Sequence, residues 1–119
     1  MHTRARGFLI LLFSVLVVVP AYADRHTDAL AQVSFGITVA QKGLWSEALL
    51  RWTKAVELDP NYAAAWNDLG VAYEQQGKFP DALKAYEKAI KLEPNNRNIR
   101  DNYDLFREIY DRTQRRRTP

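Results

Sequence analysis

After residue 23, the chain contains few side chains that could carry catalytic or metal-binding chemistry. Its one histidine there, His26, lies between Asp24 and Asp28, so imidazole and carboxylate groups are close together in the sequence. A metal site needs three or four convergent ligands, and the chain has no cysteine. We therefore predict that His26 is a solvated residue in a flexible segment near the start of a helix, and that the chain binds no metal.

Nucleophiles and acid–base pairs are equally scarce. Only two serines follow residue 23, and no glycine-rich phosphate loop is present. Two carboxylate pairs stand out, Asp68 with Glu74 and Asp101 with Glu108. On predicted helical surfaces such pairs are usually solvated charges. The sequence predicts a protein that is not an enzyme and has no cofactor.

The elements that must position any site repeat along the chain at an offset of 34 residues. When residues 29–62 are compared with residues 63–96, twelve of 34 positions are identical. Large apolar residues are replaced in kind, as where Trp52 aligns with Tyr86. A fixed period of this length is typical of a stacked-repeat architecture.

Each repeat unit has the pattern of a helical hairpin, which is clearest in the second copy. Asn61 is predicted to cap its first helix, and Gly77 suits the left-handed residue that closes that helix. Pro80 fits the first turn of the second helix, and Pro94 ends it. Gly70 is small because two helices joined by a short turn must approach closely.

The second copy resembles the tetratricopeptide repeat at every signature position. These positions hold Trp66, Leu69, Gly70, Tyr73, Ala82, Tyr86, Ala89 and Pro94. The first copy resembles it more loosely, because Gln32 and Val39 stand where the family has tryptophan and tyrosine. The resemblance implies an all-α fold, a short α-solenoid of two helical hairpins. It says little about function, since the signature residues are packing residues.

One more helix is predicted over residues 97–113. Much of its outer side is charged, which suits a C-terminal capping helix, because terminal repeats need a polar outer face. Residues 115–119 are predicted to form a basic tail with a frayed end, so the repeat domain would span residues 24–114.

Residues 1–23 have the pattern of a secretory signal peptide. Two arginines precede an apolar run from Phe8 to Val19, and small residues follow up to Ala23, so cleavage is predicted before Asp24. Spanning a bilayer takes about 20 apolar residues, more than this run offers. We expect a periplasmic or secreted protein. The alternative is an uncleaved segment that anchors the protein, and only then would it contact a membrane.

The charge of the chain changes with that cleavage. The whole sequence carries a net charge of +3, but without residues 1–23 it has 15 basic and 14 acidic residues, or +1. The aromatic residues also stand at core spacings rather than among basic residues, so the pattern is not that of a nucleic-acid-binding protein. We expect a protein partner and no nucleic acid.

The resemblance further implies a concave groove, lined by the first helix of each hairpin, which in the family commonly holds a peptide or a partner's helix. The residues at the corresponding positions are Leu30, Val33, Ile37, Gln41, Ala64, Asn67, Val71, Glu74, Gln75, Asn98, Asp101, Leu105, Glu108 and Ile109. Ile37, Val71 and Leu105 are equivalent positions and are predicted to form an apolar strip across the groove. The alternative is that this strip only packs neighbouring helices together.

The polar groove positions predict its charge. Glu74, Asp101 and Glu108 would make one rim acidic. Asn67, Gln75 and Asn98 could hydrogen-bond a peptide backbone. Relatives that clamp the C-terminal carboxylate of cytosolic chaperones use lysine, arginine and asparagine here. The corresponding residues of this chain are Val33, Ile37, Asp68, Asn98 and Asn102. The basic residues are missing, so the resemblance does not extend to that specialisation.

Two functions therefore remain open. The first is an exported adaptor that binds a peptide or helix of an extracytoplasmic partner, with assembly of an envelope complex as one setting. The second is a self-associating structural subunit. Leu30, Val33 and Ile37 form a stripe on a first helix that no earlier repeat covers, so another copy of the chain could cover it.

Overall fold

The computed structural model describes residues 19–119, with side chains described from residue 24 onward. This part of the chain consists of five helices, which are α1 (Val19–Gln41), α2 (Trp45–Leu58), α3 (Ala63–Gln75), α4 (Phe79–Leu92) and α5 (Arg97–Arg117). α1 packs against α2 to form the first hairpin, and α3 packs against α4 to form the second. α2 also packs against α3, which holds the two hairpins together, and α5 packs against α4. The all-α fold and the short solenoid of two hairpins are confirmed.

The two hairpins close with the same turn. Gly43 and Gly77 have φ values of 77° and 70°, in the left-handed region that glycine enters without steric cost. The amide of Gly43 donates to the Ala40 carbonyl at 2.8 Å, and the amide of Gly77 donates to the Glu74 carbonyl at 3.0 Å. The predicted role of Gly77 is confirmed, and the 34-residue offset recurs in the backbone.

Close helix crossings occur where the sequence has glycine inside a helix. A methyl group added at Gly70 would lie 2.9 Å from the Tyr86 ring, and one added at Gly36 would collide with the Trp52 indole. Both aromatic side chains are buried. Each large ring of the second helix therefore lies directly on a glycine of the first, as predicted for Gly70.

Two local predictions need correction. Asn61 does not cap α3, because the residue before that helix is Tyr62 and it makes no side-chain capping bond. Instead the Asn61 amide donates to the Asp59 carboxylate at 3.1 Å. α5 also continues to Arg117, beyond the predicted end at residue 113. Positive charge in a last turn is stabilised by the helix dipole, which favours a helical state for these arginines.

The N-terminal end of the solenoid has a polar cover. Phe35 aligns with Leu69, which is 4% exposed under α2, yet Phe35 is 46% exposed because none of the helices in the described part of the chain packs on that face of α1. The guanidinium of Arg51 lies 4.3 Å from the centre of the Phe35 ring. Glu47 holds that guanidinium through a 2.8 Å ion pair. One arginine thus partly covers the face that a preceding repeat would bury.

The predicted signal peptide lies largely outside the described residues. Of its 23 positions only residues 19–23 are described, as the backbone of the first turns of α1. In the described part of the chain, none of the helices combines the length and the apolar character that crossing a bilayer requires.

Candidate functional site

A pocket of about 220 Å³ opens between α1 and α3, with side chains of α2 also lining it. Its lining residues are Ile37, Ala40, Gln41, Trp45, Trp52, Asp68 and Val71. Three helices therefore contribute to one site, and the 34-residue repeat brings them together. Ile37 and Val71 are the same position of successive repeats, and both line the pocket as predicted from the sequence. Gln41, another predicted groove residue, also lines it.

Trp52 sets the position of α1 against α2 beside this pocket. Its indole Nε1 donates a hydrogen bond of 3.2 Å to the backbone carbonyl of Val33. The ring lies on Gly36, where the absence of a side chain leaves room for it. The indole that lines the pocket is therefore held by packing and by a hydrogen bond on its polar edge.

Val33 does not belong to the groove surface. Its side chain is 7% exposed and packs in the core with Ala29, Val39 and Trp52. The prediction that Val33 lines the groove is wrong, and so is its membership of an uncovered stripe with Leu30 and Ile37. The physical reason is that the hairpin needs this valine to fill the space beside the Trp52 ring.

The other predicted groove residues divide by helix. Leu30 and Ile37 on α1 are exposed, whereas Ala64 and Val71 on α3 are half-buried. Gln75, Asn98 and Leu105 are exposed, and Leu105 is 60% exposed on α5. The Leu105 side chain is not among those that line the pocket. The predicted apolar strip is thus continuous from α1 to α3, and its third member stands apart on α5.

Asn67 connects two walls of the groove. Its Oδ1 accepts a 3.1 Å hydrogen bond from Nδ2 of Asn102, which joins α3 to α5. The structure thus uses the oxygen of Asn67 within the protein, whereas the sequence predicted a bond to a peptide backbone.

The predicted acidic rim is largely compensated on α5. Glu108 forms a 2.6 Å ion pair with Arg112, and Asp101 lies 3.9 Å from Arg97. Glu74 is held differently, because its carboxylate accepts a 2.9 Å hydrogen bond from the Tyr86 hydroxyl. Ile109 lies with the arginines of the last turns around a shallow depression of about 350 Å³. The C-terminal part of the groove is therefore mixed in charge.

Asp68 is the groove residue that the sequence analysis did not assign to binding. Asp68 lines the pocket together with Trp45 and Trp52. Burial raises the pKa of Asp68 to about 6, and a hydrogen bond from the Asn67 side chain acts in the opposite direction. The helical spacing of three residues between Asp68 and Val71 was a signal that both could face one site.

The charge of Asp68 also contributes to raised pKa values of two tyrosines. Burial raises the pKa of Tyr86, and the negative charges of Glu74 and then Asp68 add to that effect. The pKa of Tyr62 is raised by burial and then by Asp68, with smaller contributions from Asp59 and Glu93.

His26 is placed differently from the prediction. It lies within α1, and its Nδ1 is 2.6 Å from Oδ2 of the buried Asp59 in the loop after α2. Its ring packs edge-on against Tyr62, with centroids 5.3 Å apart. The expectation of a flexible, solvated His26 is wrong, because this pair ties the start of α1 to the junction of the two hairpins. Within residues 24–119, no three histidine or acidic side chains converge as a metal site would require.

A family model described as "Tetratricopeptide repeat" matches residues 63–96, and one described as "TPR repeat" matches residues 38–77. The two matches overlap, and together they identify residues 38–96 as tetratricopeptide repeats. Both matches fall on the hairpins that form the pocket.

Solved tetratricopeptide-repeat (TPR) structures show the same fold. The second TPR domain of human RPAP3, in complex with an HSP70 peptide, is 25% identical, with 67% of each chain covered and a TM-score of 0.63. The first TPR of Spaghetti (RPAP3), bound to an HSP90 peptide, is 21% identical, with 71% of this chain and 68% of that chain covered and a TM-score of 0.66. The TPR domain of Sgt2 from Aspergillus fumigatus is also 21% identical, with coverages of 82% and 69% and a TM-score of 0.71. No curated protein sequence matches this chain.

Proposed function

We propose that this TPR protein is an interaction module that binds a peptide or helix of a partner protein in its concave groove. The observation that carries the proposal is the pocket between α1 and α3, which is lined by the apolar Ile37, Val71 and Trp45 and remains open to solvent. Apolar side chains around a concave site are the usual lining of a binding pocket. Human RPAP3, which has this fold and 25% identity, is solved with a peptide of another protein.

The proposal includes a location outside the cytoplasm. Its support is the sequence pattern of residues 1–23, an N-terminal basic segment followed by an apolar run and small residues. The partner would then be an extracytoplasmic protein, and assembly of an envelope complex is a setting in which a small adaptor of this kind would act. N-terminal sequencing of the native protein tests this part. A mature chain that begins at Asp24 supports it, and a retained Met1 in the membrane fraction contradicts it.

Two substitutions on α1 test the groove directly. Ile37 and Phe35 are both apolar, are exposed to nearly the same extent and lie two residues apart, but only Ile37 lines the pocket. Ile37→Lys places a charge in the pocket, whereas Phe35→Lys places the same charge on the N-terminal face. We expect Ile37→Lys to abolish retention of partners from the native envelope fraction and Phe35→Lys to leave it unchanged. Circular dichroism checks that both variants stay folded.

The same pair of variants tests self-association. That function would use the N-terminal face, where Phe35 and Leu50 are each 46% exposed, although Arg51 already covers part of Phe35. If copies of the chain associate there, Phe35→Lys should convert an oligomer to a monomer in light scattering, and Ile37→Lys should not. A monomeric wild-type protein that retains its partners equally well in both variants would defeat both functions.

A further inference from the structure

We propose that the pocket between α1 and α3 receives a cationic side chain, lysine or arginine, from the partner segment that occupies the groove. This inference rests on the proposed function, because it names the chemistry of the bound segment. It is carried by one carboxylate, Asp68, which lines an otherwise mainly apolar pocket together with Trp45 and Trp52.

The lining of the pocket suits both parts of such a side chain. Lysine and arginine have an apolar stem and a charged end. Ile37 and Val71 provide aliphatic contacts for the stem, and Asp68 provides the opposite charge for the end. Indole rings also attract cations, so Trp45 and Trp52 favour the same ligand.

Asp68 has no cationic partner within the described part of the protein. The ion pairs there use other acids, namely Glu47, Asp59, Asp101, Glu108 and Asp111. Four of those five acids have an arginine four residues away on the same helix. A half-buried carboxylate without a counter-charge is unfavourable, so a cation supplied by a ligand would remove a cost that the free protein bears.

The volume of the pocket indicates how much of a ligand enters. Pockets for drug-sized molecules measure about 300–1,000 Å³, and this pocket, at about 220 Å³, is smaller. It therefore suits one side chain of a longer segment rather than a whole small molecule.

The charge also argues against acidic segments. The HSP70 peptide in the human RPAP3 structure, SGPTIEEVD, ends in three acidic residues among its last four. In this chain a glutamate or C-terminal carboxylate in the pocket would lie close to Asp68, which lines it. Like charges at close range oppose binding, so the two grooves select opposite chemistry.

The test uses four fluorescein-labelled nonapeptides and the purified full-length protein. Each peptide carries the fluorescein on its N-terminus, is C-amidated and alternates leucine with serine. The central residue is lysine, arginine, norleucine or glutamate, so it alone changes the charge. Dissociation constants are measured by fluorescence anisotropy for the wild type, Asp68→Asn and the control Asp104→Asn. Asp104 is an exposed carboxylate on α5 that does not line the pocket.

We expect the wild type to bind the lysine and arginine peptides at least tenfold more tightly than the glutamate peptide. Asp68→Asn should reduce that ratio below threefold while it still binds the norleucine peptide, and Asp104→Asn should keep the wild-type ratio. A ratio below threefold in the wild type, an unchanged ratio in Asp68→Asn, or binding of none of the four peptides overturns the inference.

The proposed function is judged separately. Suppose that the wild type binds the norleucine peptide as tightly as the lysine peptide, and that Ile37→Lys abolishes this binding. The proposed groove then stands, and only the preference for a cation fails. If partner retention also survives Ile37→Lys, the groove fails, and the inference fails with it.

Discussion

Nδ1 of His26 lies 2.6 Å from Oδ2 of Asp59, a residue 33 positions further along the chain. The carboxylate is 8% exposed, and its other oxygen accepts the Asn61 amide. α1 is therefore fastened at one end by this pair and at the other by the Gly43 turn, which holds the wall of the pocket that carries Ile37.

The first prediction concerns that pair. His26→Ala leaves a buried carboxylate oxygen without its hydrogen bond, so we expect a loss of about 1 kcal/mol in the free energy of unfolding. His26→Gln, which can still donate a hydrogen bond, should recover part of the loss. Urea unfolding followed by circular dichroism measures both. Equal midpoints for His26→Ala and the wild type would show that the contact contributes nothing.

The second prediction concerns the helix crossing in the second hairpin. Gly70→Leu should cost roughly 1–3 kcal/mol or more, because the new side chain must enter the space that the Tyr86 ring fills. Ala82→Leu should behave similarly, since Ala82 is fully buried beside Tyr86 and Phe106. Thermal melts within a degree or two of the wild type would contradict this packing.

The third prediction uses a smaller substitution at Gly70 to separate the effect of steric clash on stability from the effect of helix propensity. Alanine is favoured over glycine inside a helix by about 1 kcal/mol. We expect Gly70→Ala to be destabilising in the wild type, where its Cβ would lie 2.9 Å from the ring. In a Tyr86→Ala background it should be stabilising. The same effect in both backgrounds would mean that the ring is not the cause.

The fourth prediction concerns pH. Burial raises the pKa of Asp68 from 3.8 to about 6, so the folded chain holds this proton more tightly than the unfolded chain. The resulting stability is fully present below pH 3.8 and is lost as the pH rises through about 6. Asp68→Asn removes the buried charge, and we expect it to stabilise the fold by roughly 1–3 kcal/mol at pH 7.5. At pH 4 the gain should be close to zero.

Urea unfolding of Asp68→Asn and the wild type across this range makes the comparison. Other carboxylates titrate in both proteins, so their effects cancel in the difference. A difference that does not change with pH would mean that the charge of Asp68 is already compensated in the folded state.

Much of the fold was predictable because the repeat carries its own local chemistry. Gly77 and Pro80 specify a turn and a helix start through backbone preferences alone, and Gly70 faces a ring of the same hairpin. The pairing of Ile37 with Val71 also followed from the 34-residue offset. These features depend on residues close in sequence or at equivalent positions.

The remaining features depend on contacts that no local pattern contains. Val33 aligns with Asn67, yet one is buried and the other half-buried, because burial depends on the neighbouring helices. Asp59 accepts a hydrogen bond from the Asn61 amide within a loop and contacts His26 on a distant helix. Asp68 is a candidate binding residue because it lines the pocket with Trp45 and Trp52, and the three residues come from two different helices.

Among the five described helices, α5 alone lacks a hairpin partner. It rests mainly on α4, and the side-chain bond from Asn102 to Asn67 reaches α3. In stacked-repeat proteins each element is stabilised by its immediate neighbours, so an end helix with one main neighbour opens at a lower free energy than the interior. α1 also lies at an end, but hydrogen bonds of Val33 with Trp52 and of His26 with Asp59 fasten it. The groove accordingly has a stiff wall at α1 and a compliant wall at α5. The α5 wall can then adjust to partner segments of different thickness, while the pocket beside α1 selects them by their chemistry.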